Sequence, residues 1–146
     1  MYKKMEEALK IAKKAYEKNE VPIGAVLYRG NELIAKAHNQ CVEKNNPLAH
    51  AEMLVIKKAL KKLDTTYLDD CELYVTVEPC MMCMGSILNT RIKKLVYGTT
   101  EPKMGFADSL INIYSIVNDR CIEIYGGIKE EECKTLMVNF FSSKRN

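Results

Sequence analysis

The sequence contains no apolar run approaching the ~18 residues that a membrane-spanning helix needs, so a helical membrane protein is not expected. Met1 to Lys10 alternates charged with apolar residues and does not read as a signal peptide, which makes the cytoplasm the expected location. Internal repeats, low-complexity tracts and linker-like stretches are missing too. The 146 residues are therefore expected to form one domain, 1–146. No strong charge excess exists either: 22 basic against 19 acidic residues give a formal charge of +3. That is too mild to announce a nucleic-acid binder, though it permits one if the basic residues cluster. Histidine is scarce, with His38 and His50 alone.

Cysteine is not scarce, but ligand-spaced cysteine is. Of six cysteines, Cys41, Cys71, Cys121 and Cys133 stand singly and read as packing or surface thiols. Without a secretory signal a disulfide framework is not expected. Cys80 and Cys83 form the one C-x-x-C pair.

The rest is the composition of an ordinary globular protein, 47% hydrophobic and 28% charged. Met5, Ala8, Leu9, Ala12, Ala15 and Tyr16 recur at helical spacing, predicting an amphipathic helix over Tyr2 to Lys18. Ile23 to Tyr28 and Leu33 to His38 flank the turn Arg29-Gly30-Asn31-Glu32 and read as a hairpin. A polar loop follows, then a helix over Ala49 to Leu63, a strand over Cys71 to Val77, and a short helix over Cys80 to Leu88 behind Pro79. Ile92 to Tyr97 and Cys121 to Tyr125 read as strands, Ser109 to Val117 as helix, and Ile128 to Phe141 as the last helix. Strands alternating with helices predict a single sheet covered by helices, the α/β class.

His50-Ala51-Glu52 and Pro79-Cys80-Met81-Met82-Cys83 carry the chemistry. His50, Cys80 and Cys83 offer three ligands to zinc, and a fourth position left to water marks a catalytic rather than structural site. The two cysteines share one helix face at its first turn, where thiolate is favoured. Glu52 is the candidate proton carrier. On an ideal helix His50 and Glu52 would point about 200° apart, given 3.6 residues per turn. Their convergence requires His50 to sit at the helix end. A closed zinc finger would need His38 as its other ligand, at no zinc-finger spacing, and a redox C-x-x-C would leave His50-Ala51-Glu52 without a role.

H-x-E followed by P-C-x-x-C is the established signature of zinc-dependent nucleobase deaminases, not something the spacing itself yields. The segments Asn19 to Val26, His38-Asn39, Pro47 to Glu52, Leu73 to Cys80, Arg91-Ile92, Tyr97-Gly98 and Phe140-Phe141 extend the likeness along nearly the whole chain. The sequence resembles the bacterial tRNA-specific adenosine deaminase family. That resemblance implies a three-layer α/β/α, cytidine deaminase-like fold with a central mixed five-stranded sheet. It implies a hydrolase that converts adenosine to inosine at the wobble position of a tRNA, with tRNA-Arg(ACG) the expected substrate, and releases ammonia. One Zn²⁺ per chain would be held by His50, Cys80 and Cys83, with Glu52 as the proton shuttle. Asn39 would hydrogen-bond the purine, and the backbone around Ala51 and Pro79 to Cys80 would help place it. Phe140, Phe141, Lys144 and Arg145 match the C-terminal helix that contacts RNA. Arg91, Lys93 and Lys94 are either phosphate contacts or solvated charges. The expected partners are the tRNA anticodon stem-loop and a second copy in a homodimer.

Two positions depart from the family pattern. Glu101 stands where an aspartate usually touches a ribose 2′-hydroxyl, and Asp108 replaces a small residue. Two alternatives remain open: a free-base or nucleotide deaminase of the same fold, acting on guanine or cytosine, and a zinc-bearing RNA-binding subunit without catalysis.

Overall fold

A computed structural model describes residues 1–115 and 122–144 of the chain. Helix α1, Tyr2–Glu17, buries Met5, Ala8, Leu9, Ile11, Ala12 and Ala15, the apolar stripe its sequence spells. It stops where Asn19 takes a left-handed φ of 63° and the Glu20 amide turns back onto the Ala15 carbonyl, 2.9 Å away. Strands β1 (Gly24–Arg29) and β2 (Glu32–His38) form the expected antiparallel hairpin, with Gly30 in the left-handed region at the turn. Helix α2 spans Ala51–Leu63, β3 Cys71–Val77, α3 Met81–Asn89, β4 Lys94–Thr99, β5 Glu123–Tyr125 and α4 Glu130–Lys144.

The five strands form one sheet in the order β2-β1-β3-β4-β5. Strand β1 runs antiparallel to both its neighbours, while β3, β4 and β5 are mutually parallel. The expected mixed five-stranded sheet is therefore present. Because side chains alternate along a strand, β1, β3 and β4 each feed two cores. Ala25, Leu27, Leu73, Val75, Leu95 and Tyr97 pack with Val55, Ile56 and Ala59 of α2 and Met84 and Ile87 of α3. Val26, Tyr28, Tyr74 and Val96 pack on the opposite face with Met5, Ala8, Leu9 and Ile11 of α1 and Cys133 of α4. These are the three layers. Fully burying a leucine such as Leu27, Leu73 or Leu95 contributes about 1.5–3 kcal/mol.

Close packing of the α1 layer depends on Gly24. A Cβ there would collide with the Ala8 carbonyl oxygen and lie 2.5 Å from the Ala12 nitrogen.

Several boundaries differ from expectation, each for a local reason. Ile92 is not in β4, because Arg91 takes a left-handed φ of 63° and sends the Ile92 amide back to the Ile87 carbonyl. Lys129, at φ 59°, likewise delays α4 to Glu130. The expected helix over Ser109 to Val117 is not formed across its described part. Residues 106–109 are turn, followed by a single 3₁₀ turn at Ile113–Ser115. The amides that a helix start would leave free are taken instead by a side chain, Glu78. Ile116 and Val117 lie outside the described residues, as does Cys121 of the expected fifth strand.

Candidate active site and metal centre

Parallel strands β3 and β4 end together at Val77 and Thr99, which are register partners. Gly24 of β1 and His38 of β2, also partners, lie at the same end of the sheet. This rim receives the N-termini of both α2 and α3. His50 is the N-cap of α2 and Cys80 the N-cap of α3, each with extended backbone at ψ 149° and 177°. An N-cap residue stands outside the helical side-chain rotation, which removes the expected conflict between His50 and Glu52. Glu52 sits in the first turn of α2.

His50, Cys80 and Cys83 converge so that their ligand atoms all lie within 4.8 Å of one another. His50 Nδ1 is 3.7 Å from Cys80 Sγ and 3.5 Å from Cys83 Sγ. A tetrahedral ion bound by thiolate at about 2.3 Å and imidazole at about 2.0–2.1 Å has S···N edges of about 3.6 Å. The group therefore has the size as well as the chemistry of a three-donor metal site. Cys83 is wholly buried, whereas His50 and Cys80 are half-buried.

These side chains perturb one another's acidity. Hydrogen bonding from Cys83, opposed by burial and assisted by His50, holds the Cys80 thiol down at about 4. The same bond, with burial and the nearby Glu52 carboxylate, pushes Cys83 far above the thiol range. Cys80 is thus the more acidic thiol of the two, and it stands at the helix N-terminus, where free amides favour thiolate. His50 is raised, chiefly through its hydrogen bond with Cys80 and against the effect of burial. Glu52 is 4% exposed, and burial pushes its carboxyl up to about 7 against the pull of its own amide and His50.

Around this centre the other expected residues divide. Asn39 is buried at the end of β2, and its Oδ1 accepts the Cys41 thiol at 3.2 Å. The Gln40 amide bonds the Ala49 carbonyl at 2.9 Å, which ties the Asn39 segment to the residue preceding His50. Ala51 is the first residue of α2 and fully buried. Glu101 follows β4 and lines a cleft of about 470 Å³ that also includes Val77, Thr99, Val138 and Phe141.

The C-terminal helix is more differentiated than the sequence suggests. Phe140 is buried edge-on against Tyr16 with ring centroids 5.6 Å apart, so it is a packing residue rather than a surface contact. Phe141, its neighbour, is 44% exposed. Lys144 donates to Asn19 Oδ1 and lies over the Phe140 ring, 5.4 Å from its centroid. Arg145 lies outside the described residues. Of the other basic candidates, Arg91 stacks on Tyr67 at 3.9 Å and Lys94 pairs with Glu72 at 3.3 Å, so both have intramolecular partners.

Two buried carboxylates beside the site have no role in the sequence reading. Glu20, 1% exposed, accepts the amides of Val42 and Glu43 at 3.0 and 2.6 Å and so shapes the loop after Asn39. Glu78, 3% exposed, gathers the amides of the loop after β4. Burial acts to raise the Glu78 carboxyl, but hydrogen bonds from Ser109 and from the amides of Asp108, Ser109 and Glu101 bring it below its ordinary value. A charged residue directly following an apolar strand and preceding Pro79 was the available signal.

Comparison with known proteins agrees with this geometry. The family model for MafB19-like deaminase matches residues 2–145. The chain is 46% identical to the tRNA-specific adenosine deaminase of Bacillus subtilis over 97% of its own length and 88% of the relative's. It is 44% identical to the tRNA-specific adenosine deaminase of Aquifex aeolicus, covering 95% and 92% of the two chains. A solved structure from work on A-to-I editing by tRNA:A34 deaminases at the wobble position superposes with a TM-score of 0.88. It shares 39% identity and covers 93% of this chain and 99% of that one.

Proposed function

The chain belongs to the MafB19-like deaminases and, within them, to the tRNA-specific adenosine deaminases, and from that premise we propose that it converts the wobble adenosine of a tRNA anticodon to inosine. It is a hydrolytic deaminase acting on tRNA adenosine. The expected substrate is tRNA-Arg(ACG). The observation that carries the reading is the placement of His50, Cys80 and Cys83 around one point with buried Glu52 in the adjacent turn.

His50 Nδ1, Cys80 Sγ and Cys83 Sγ would hold one Zn²⁺ and leave its fourth position open. When bound, zinc acts as a Lewis acid that makes a water nucleophilic near neutral pH, at a pKa of about 7. Glu52 carries two protons in turn: its carboxylate takes the first from the attacking water to purine N1, and the second from the new C6 hydroxyl to the departing amine. One water is consumed, the bond from C6 to the exocyclic nitrogen breaks, and ammonia leaves.

Asn39 supplies an amide to the purine edge from the buried end of β2. The backbone around Ala51 and from Pro79 to Cys80 helps to position the base. Outside the pocket, Glu101 accepts a ribose hydroxyl, while Phe141, Lys144 and Arg145 meet the anticodon stem-loop. Phe140 supports Phe141 and Lys144 from within. The working form is a cytoplasmic homodimer; no described helix is long and apolar enough to cross a membrane.

The test is direct. Zinc-loaded protein is incubated with unmodified tRNA-Arg carrying an ACG anticodon, and the product is reverse-transcribed and sequenced. Adenosine read as guanosine at the first anticodon position is the expected result. Ammonia released from free guanine or cytosine, with the tRNA unchanged, would overturn the reading in favour of a free-base deaminase. Inertness of the metal-loaded protein toward all of these would leave an RNA-binding subunit.

A further inference from the structure

Glu78 stands directly before the turn that delivers Cys80, yet its side chain is committed to the loop that follows β4. Its Oε1 accepts the Glu101 amide at 3.0 Å, and its Oε2 accepts the amides of Ala107, Asp108 and Ser109 at 3.2, 2.7 and 2.8 Å. The Ser109 hydroxyl also donates to Oε1. Those five donors fill the roughly four lone-pair sites a carboxylate offers, so its acceptor capacity is saturated. Among the described residues that hydrogen-bond it there is no lysine or arginine. The charge is compensated by donors that all belong to one short stretch of chain.

That stretch has little structure of its own. Residues 100–112 contain no helix and no strand beyond an isolated bridge between Gly105 and Cys80. Its amides need partners when buried, and a side chain supplies them. Two backbone contacts complete the clamp: the Phe106 amide bonds the Pro79 carbonyl at 2.9 Å, and the Glu78 amide bonds the Thr99 carbonyl at 2.8 Å. Gly105 is matched to this arrangement, since a Cβ there would lie 2.5 Å from both the Glu78 Cδ and the Glu101 carbonyl oxygen.

We propose that Glu78 is a positioning residue for substrate recognition: its carboxylate fixes residues 101–109 in the single backbone arrangement that presents Glu101 beside the metal-ligating turn. The inference rests on the proposed function in that Glu101 meets the substrate. The residue that follows strand β3 thereby holds the recognition loop, and catalytic centre and recognition loop move as one body. Glu78 itself touches neither substrate nor metal.

The experiment compares the zinc-loaded wild-type protein with Glu78→Gln, which keeps the side chain's size but replaces one acceptor oxygen with a donor. KM for an anticodon stem-loop should rise about tenfold while kcat changes less than about threefold, the pattern of lost binding rather than lost chemistry. Bound metal should be unchanged. Amide hydrogen exchange should accelerate across residues 101–110 and not in α2 or α3. A fall in kcat at constant KM, or unchanged exchange in the loop, overturns the proposal. Should Glu78→Gln fail to fold, Ser109→Ala removes one donor and should give the same two signs at about threefold in KM; no change in either overturns it. If the wild-type protein leaves the tRNA unmodified, the proposed function fails, and the exchange comparison alone then decides whether Glu78 fixes the loop.

Discussion

His50 Nδ1 lies 3.5 Å from Cys83 Sγ, although the two residues are 33 positions apart in the chain. Their separation is set by two helices that begin at one rim of the sheet, and nothing within either helix fixes it. The candidate metal site is therefore a property of the packed α2–β3–α3 unit.

Removing one donor should empty the site. Cys83→Ser is expected to lower bound zinc from about one per chain to near zero under mild chelation, because two protein ligands do not hold the ion against competitor. Far-UV circular dichroism should be nearly unchanged, since Cys83 is one small side chain in a large core. Retention of a full equivalent of metal would refute the three-donor assignment.

Glu52→Gln separates metal binding from proton transfer. The substitution keeps the shape of a buried side chain and removes its ability to carry a proton. Single-turnover deamination should slow by about 10²–10⁴-fold with metal content intact. Turnover within about tenfold of wild type would mean another group moves the proton.

Glu72 gives a pH-dependent stability prediction remote from the site. Burial pushes its carboxyl up, but Lys4 at 3.2 Å, the Tyr74 hydroxyl at 3.0 Å and Lys94 at 3.3 Å outweigh this, and the net shift is downward. A depressed carboxyl contributes stability that is present above its unfolded pKa, about 4.3, and lost as pH falls through the folded value. Because the cluster is partly open to solvent, Glu72→Gln should cost no more than about 1 kcal/mol at pH 7. In urea titrations the difference from wild type should shrink to nothing in strong acid. A difference that grows on acidification would contradict the sign.

Gly24→Ala tests the contact between β1 and α1. Its Cβ would meet the Ala8 carbonyl and the Ala12 nitrogen, backbone atoms that cannot swing aside. A loss of at least about 2 kcal/mol is expected from the urea midpoint, as for overpacked cores. A loss below about 0.5 kcal/mol would show that α1 can shift freely on the sheet.

Much of the fold is legible in the sequence because α1 carries a clear period of 3.6 in its apolar residues and β1, β2 and β3 are short β-prone apolar runs bounded by turn residues. The grouping of His50, Cys80 and Cys83 is legible because metal-ligand chemistry restricts residue type and spacing together. The segment from Ser109 onward is not, since its apolar residues have no period and its backbone is committed to Glu78. Glu20 and Glu78 themselves stay hidden for a related reason. Their partners lie 22 to 31 residues away and are mostly amides, which leave no mark in the identity of the partner residue. Phe140 and Phe141 are alike in sequence and opposite in setting, because consecutive helical positions point about 100° apart. Only packing against Tyr16 shows which of them faces inward.

Four of the five donors to Glu78 are main-chain N–H groups, which every residue type except proline supplies. Exchange of the Glu101 or Asp108 side chain consequently leaves the Glu78 bonds in place, whereas Ala107, 3% exposed, is packed into the core and has to stay small. Substitution at Glu101 and Asp108 becomes tolerable on this account: the scaffold is held by Glu78 and Gly105, and the side chains presented on it are free to vary. A library confined to positions 101 and 108, with Glu78, Gly105 and Ala107 held constant, is where new nucleotide preferences should be sought.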